Sequence, residues 1–159
     1  MKRIIAATAV AAALAAGNTQ AGQTSGQFNV NITLNSVCTL SAVTDLAFTY
    51  TSLQAGPSGA TGGGFSVSCT TSLPYTFALQ AGTGAPAAPF VTTISVTDAI
   101  VNLNYSLGLS ATSGTGNGLA QPYSVTGTMA GNQAGTCNTA SCPNTGAGAN
   151  NRHTLIVNY

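Results

Sequence analysis

The chain is nearly without charge. Among its 159 residues it has three basic and two acidic side chains, and it has neither glutamate nor tryptophan. A surface so poor in positive charge cannot bind a phosphate backbone by releasing counterions, so nucleic acid is excluded as an expected partner. It also lacks the charge repulsion that keeps many soluble proteins monomeric, and this composition therefore favours a protein that associates.

The N-terminus has the pattern of a secretory signal peptide. A short basic start precedes an apolar run from Ile4 to Ala16, and small or polar residues follow up to Ala21. Because the run is shorter than the about 20 residues of a membrane helix, we predict cleavage after residues 1–21 and no membrane span in the mature chain. The 159 − 21 = 138 residues that remain fit one domain. Their charged side chains are Arg152, Asp45 and Asp98, for a net charge of 1 − 2 = −1.

The mature chain has few of the groups that a hydrolase requires. His153 is its one imidazole and Asp45 and Asp98 are its only side-chain carboxylates, so a triad or a carboxylate pair would have to use them. We interpret His153 as a solvated residue at the start of the last strand and both aspartates as turn residues. No glycine-rich stretch has the form of a phosphate loop. We therefore predict a protein that is not an enzyme and has no cofactor.

Four cysteines in an exported chain indicate two disulfides. Three connectivities are possible. We favour Cys38 with Cys69, which would tie two strands, and Cys137 with Cys142, which would close a small ring inside a loop. A zinc site is disfavoured because the chain has one histidine and no C-x-x-C pair, so we predict no metal.

Alternating apolar and polar side chains recur along the mature chain and predict half-buried strands. The predicted strands cover residues 26–38, 46–50, 65–69, 75–79, 90–97, 101–109, 123–130 and 154–159. Turn-forming stretches separate them and no helical period follows the signal peptide. This spacing indicates an antiparallel β-sandwich.

The first of these strands raises a question of pairing. Its apolar side chains are Phe28, Val30, Ile32 and Leu34, and they alternate with glutamine, asparagine and threonine. Such a strand has one apolar face that must be covered. It lies close behind the predicted start of the mature chain, where most proteins have a loose tail, and the pattern alone leaves open which strand it pairs with.

Taken in order, several segments resemble the spore coat protein U family, which includes the major subunits of archaic, Csu-type chaperone-usher pili. They are SGQFNVNITLNSVCTL, FSVSCTTSLPYTFAL, VNLNYSL, YSVTGTMAGNQ and HTLIVNY. The resemblance implies an all-β fold, an incomplete immunoglobulin-like antiparallel β-sandwich that is completed by donor-strand exchange. It implies three parts, which are a signal peptide (1–21), an N-terminal donor strand with a short linker (22–37) and a β-sandwich pilin domain (38–159).

The resemblance also implies which residues and partners take part in assembly. The donor strand would insert Phe28, Val30, Ile32 and Leu34, and the last strand would line the groove with Leu155, Val157 and Tyr159. The partners would be other copies of the chain in a filament, with a periplasmic chaperone and an outer-membrane usher during assembly. We expect a structural subunit of an extracellular pilus that serves surface attachment and biofilm formation. The alternative is a secreted spore-coat or matrix protein of the same fold that forms no pilus.

The long loop at residues 131–152 departs from the family, because it is enlarged and carries Cys137 and Cys142. It has almost no apolar side chain, so we expect it to be exposed to solvent. We interpret it as a tolerated insertion, since surface loops accept added length at small cost. The alternative is a surface-contact or adhesion loop.

Overall fold

A computed structural model describes residues 22–80, 90–145 and 151–159. The predicted signal peptide lies outside these residues. Within them every regular element is a β-strand, and no helix has the length and hydropathy needed to cross a bilayer. Backbone contacts divide the chain into two units, Met1–Thr33 and Leu34–Tyr159, and the strands of the described residues all belong to the second.

The strands of the described residues are numbered in chain order. They are β1 (Cys38–Leu40), β2 (Leu46–Ala47), β3 (Ser58–Gly59), β4 (Thr61–Gly62), β5 (Gly64–Cys69), β6 (Pro74–Gln80), β7 (Thr93–Thr97), β8 (Asn104–Leu109), β9 (Ser113–Thr115), β10 (Gln121–Met129) and β11 (Thr154–Asn158).

These strands form an all-β, antiparallel sandwich. The larger sheet has the order β1-β5-β10-β8-β7, with β3 paired to β10, and the smaller sheet has the order β11-β6-β9. Strands β2 and β4 form a separate ribbon. The fold class that the strand spacing predicted is therefore confirmed, as an immunoglobulin-like sandwich. Completion by a donated strand is not tested by a single chain and stays a prediction.

The core lies where the inner faces of β5 and β6 meet. Apart from Ala78 of β6, which is also buried, their buried residues alternate with more exposed ones, and the inward set is Phe65, Val67, Cys69, Tyr75, Phe77 and Leu79. The rings of Phe65 and Phe77 meet edge to face with centroids 5.5 Å apart, and Tyr123 of β10 lies 4.7 Å from Phe77. Each fully buried large apolar side chain contributes about 1.5–3 kcal/mol. The period-two pattern of the sequence thus decides which face of each strand is buried.

Both disulfides that we favoured are present. Cys38 and Cys69 are bonded and lie opposite each other in the β1–β5 pair, so this bond joins the first strand of the sandwich to a core strand. Cys137 and Cys142 are bonded across a sequence separation of five residues. The preferred connectivity is thereby confirmed.

Three short strands, β3, β4 and β9, lie in stretches that we expected to be loops. Each has only two or three residues, and their sequences are rich in Gly, Ser and Thr. Strands β3 and β9 form because the longer strands β10 and β6 present backbone groups beside them, whereas β4 pairs with the equally short β2. A period-two apolar pattern cannot predict such strands, since none of them has one.

The predicted strand at 26–38 has a different outcome. Residues 22–37 are not in a strand, and only Cys38 of the predicted segment belongs to one. A strand exists only when a neighbour completes its hydrogen-bond ladder. The donor role of the segment therefore remains a prediction about a second molecule.

Candidate assembly site at the edge of the last strand

Strand β11 places two of its apolar side chains against the core. In its antiparallel register Leu155 lies opposite Leu79, and Val157 lies opposite Phe77. Both are only half-buried although they pack on the core cluster. The inner face of β11 is thus part of the core but is incompletely covered.

The neighbouring strand β6 is occupied on both sides. One side pairs with β11, and the other pairs with β9 and then with Val91, which exchanges two backbone hydrogen bonds with Leu79 of 2.7 and 3.2 Å. By contrast, β11 pairs with β6 alone among the residues that the structure describes. Its second row of N–H and C=O groups is therefore an open edge, which is a template for pairing with another chain.

The sandwich has two ends, and β11 runs from one to the other. We call the end where the chain enters β1 the linker pole, and it consists of Val37 with loops 70–73 and 116–120. There the Thr70 amide donates to the Val37 carbonyl at 3.0 Å, and Gly118 donates to Cys69 at 3.1 Å.

The opposite end, the distal pole, consists of turn 98–103 and segment 131–145. It is joined by the Thr136 amide, which donates to the Val101 carbonyl at 2.7 Å. Strand β11 begins near the distal pole, where Thr154 pairs with Gln80, and it ends toward the linker pole, where Asn158 pairs with Thr76.

The apolar side chains of the predicted donor segment are exposed in the single chain. Phe28 is 86% exposed, Val30 70%, Ile32 86% and Leu34 77%. Burying all four would contribute about 6–12 kcal/mol at about 1.5–3 each. Exposed apolar side chains of this size at alternate positions are typical of segments that bind a partner.

The start of β11 is fixed by His153, which is not the solvated residue that we expected. Its Nε2 lies 2.8 Å from the hydroxyl of Tyr105 in β8, and its Nδ1 is buried without a hydrogen-bond partner among the described residues. Burial lowers the pKa of His153, because desolvation disfavours the charged imidazole. Burial, and to a smaller extent the charge of Asp98, raises the pKa of Tyr105 to about 12. The sequence could not show this contact, since the two residues are 48 positions apart.

Asp98 anchors the long loop to the sandwich. Its side chain is buried, and its Oδ1 accepts the amides of Ile100 and Val101 at 2.8 and 3.0 Å. Its Oδ2 accepts the side-chain amide of Asn144 in the loop. The expectation that Asp98 serves a turn is thus met, but the turn also holds a segment 46 residues away.

The long loop is held to the sandwich by hydrogen bonds, while most of its described residues, 131–145, are exposed as we expected. Gln133 connects the loop to the start of β8. Its side chain accepts a hydrogen bond from the backbone amide of Asn104 at 2.6 Å and donates one to the Asn104 carbonyl at 2.9 Å. The Gln133 amide also donates to the Tyr50 hydroxyl at 2.9 Å. These polar contacts hold the loop to the sandwich without burying apolar side chains.

Two surface cavities accompany these elements. One of about 170 Å³ lies on the outer face of the larger sheet beside Ser95, Ser106 and Thr128. The other, of about 260 Å³, lies beside Ile100 and the Cys137–Cys142 ring. Neither cavity is lined by a residue of β11, so the candidate assembly site is the edge of that strand and not a cavity. Within the described ranges no three His, Cys, Asp or Glu side chains come together as a metal site.

Comparison with known proteins adds a family match. The family model for the Spore Coat Protein U domain matches residues 24–150, a range that includes the exposed N-terminal segment and most of the sandwich. Neither the curated proteins nor the solved structures that were compared contain a match.

Proposed function

The chain belongs to the Spore Coat Protein U domain family, a family of structural subunits, and from that membership we propose that it is a subunit of an extracellular chaperone-usher pilus. Each copy inserts residues 28–34 beside β11 of a neighbouring copy. A periplasmic chaperone and an outer-membrane usher are the assembly partners, and surface attachment and biofilm formation are the filament's role.

The observation that carries this proposal is that two parts of the same chain, the edge of β11 and the N-terminal segment, complement each other. Strand β11 has an open edge with Leu155 and Val157 only half-buried. The same chain carries an exposed segment whose apolar residues repeat at the same period of two. A strand added to an open edge gains backbone hydrogen bonds along its length, and its alternate side chains cover the core. Head-to-tail addition of this kind builds a filament because it never closes on itself.

The poles of the sandwich favour one direction of insertion. The donor segment leaves each copy at the linker pole, and β11 runs from the distal to the linker pole. A donor antiparallel to β11 therefore ends, at Leu34, beside the distal pole of the acceptor. A parallel donor would bring two linker poles together, where the acceptor's own donor segment also leaves. Antiparallel insertion gives a polar, linear chain of subunits.

A gel of material sheared from cells tests the proposal. Wild-type filaments should run as a ladder without heating and as a monomer after boiling. Ile32→Asp should abolish the ladder, because it places a charge where the donor face is dry. Asn31→Asp is the matched control, since it adds the same charge on the opposite face of the same strand and should leave the ladder intact.

The outcomes separate the two candidate roles. A wild-type protein that migrates as a monomer without heating would contradict the pilus proposal and favour a secreted coat or matrix protein of the same fold. Equal loss of the ladder in both variants would mean that charge, not the position of the side chain, disrupts assembly.

A further inference from the structure

The linker between donor strand and sandwich is short. Four residue steps separate Leu34 from Cys38, which span at most about 14 Å when fully extended. Cys38 is itself fixed by its disulfide to Cys69. If the donor inserts antiparallel to β11, as the proposed function requires, the linker pole of one copy must lie close to the distal pole of the next.

The distal pole presents an apolar residue beside a cavity. Ile100 is 62% exposed at the tip of the turn that Asp98 holds. The adjoining cavity of about 260 Å³ is lined by Ile100, Thr136, Cys137, Asn138 and Cys142. The disulfide closes one side of this cavity, and the bond from Asn144 to Asp98 ties the ring to the body.

The linker pole presents a matching apolar residue. Leu119 is 69% exposed in loop 116–120, and its amide donates to the side chain of Asn117 at 2.9 Å. The loop is bonded to the backbone of Cys69, so it is fixed relative to the point where the donor leaves. Val37, 53% exposed, lies at the same pole.

Neither pole carries a charge that would oppose contact, since the exposed Arg152, which lies just before β11 near the distal pole, would meet no basic residue at the linker pole. Residues 116–120 and 70–73 contain no charged side chain, and in turn 98–103 and segment 131–145 the only one is the buried Asp98. Two uncharged surfaces with exposed leucine and isoleucine gain free energy by excluding water from each other.

We infer that the Cys137–Cys142 ring and Ile100 form a second contact between subunits, in which the cavity of one copy receives Leu119 of the next copy. This contact rests on the proposed function and adds to it. The enlarged loop is then a joint element that restricts bending between neighbouring subunits. The disulfide serves this role by keeping the wall of the cavity in place when the two poles separate and meet again.

Site-specific photo-crosslinking in intact filaments tests the contact. A benzophenone amino acid replaces Ile100, or in a second variant Asn138 of the ring, and filaments are irradiated and then boiled. We expect a covalent ladder that survives boiling, with Leu119 in the crosslinked peptide. The control position is Thr126, which is exposed on the outer face of β10 and should give no ladder.

Each outcome bears on a different claim. If unirradiated filaments show the heat-labile ladder but positions 100 and 138 give no crosslink to loop 116–120, the second contact is wrong and strand donation stands. Crosslinks to any other region of the neighbour also overturn it. If no variant and no wild-type sample forms a heat-labile ladder, the proposed function itself fails. Loss of the crosslink in Leu119→Ala, with the heat-labile ladder unchanged, would support the contact between the named side chains.

Discussion

Removal of the Cys38–Cys69 disulfide should be far more costly than removal of the Cys137–Cys142 disulfide. The first closes a sequence separation of 31 residues and the second one of 5. The chain-entropy model then gives about 4 kcal/mol for the first bond and about 2 kcal/mol for the second, through the denatured state. The double replacements Cys38→Ser with Cys69→Ser and Cys137→Ser with Cys142→Ser are matched in chemistry.

The structure adds a reason why the first loss should reach at least its calculated size. Strand β1 has only three residues, and Cys38 is its one residue that packs on the core, since Thr39 and Leu40 are exposed. Without the covalent bond, β1 would be held to β5 by hydrogen bonds but by little apolar burial. The linker would then leave from a less firmly held point, and filaments should bend more or fall apart at lower temperature.

Urea unfolding of the mature chain, followed by circular dichroism at one protein concentration, measures both effects. Limited proteolysis should reveal new cleavage near residues 37–41 in the first double variant alone. Equal destabilisation of the two variants, or a larger effect from the 137–142 pair, would refute the reasoning that loop length and the anchoring of β1 decide the difference.

Three further predictions concern the edge strand and its anchor. Val157→Asp should suppress the heat-labile ladder, because burying the new charge on the inner face of β11 costs about 2 kcal/mol or more. Asn158→Asp adds the same charge on the outer face and should leave the ladder intact. The gel of sheared filaments compares the two variants. Stability should fall as the pH drops below about 6.5, because the unfolded chain binds a proton at His153 before the folded chain with its lowered pKa does. Urea titrations at several pH values should show this fall in wild type and a smaller one in His153→Gln. Asp98→Asn should destabilise the protein by about 1–3 kcal/mol, since its new amide group would face the donating amide of Asn144. Proteases should then cleave rapidly within residues 131–145. Unchanged resistance to proteases would argue that Asp98 does not anchor the loop.

The core of the sandwich was accessible from the sequence alone. Phe65 and Val67, like Phe77 and Leu79, repeat with a period of two, and in a strand that period places them on one face whatever the rest of the chain does. The disulfide pairs were among three possibilities, and the favoured one is present. The apolar face of residues 28–34 was equally plain from the spacing, whereas its expected partner, another copy of the chain, came only from the family resemblance.

The hydrogen bonds that organise the long loop could not be predicted. Asp98 and Asn144 are 46 residues apart, and Tyr105 and His153 are 48 apart. Single polar side chains carry no periodic signal, so nothing local identifies their partners. For this reason His153 was wrongly interpreted as solvated, and the attachment of the exposed loop to the sandwich was not foreseen.

The sequence by itself determined the strand faces, the absence of a charged surface and the amphipathic N-terminal segment, because these depend on residue type and on spacing along one chain. Only the tertiary structure decided that, among the described residues, β6 is paired on both sides and β11 on one, and that β11 runs from the distal to the linker pole. Strand order and direction arise from pairing between distant segments, whose backbone groups are chemically alike at every position. The open edge is therefore a property of the folded sheet and is written in no single stretch of residues.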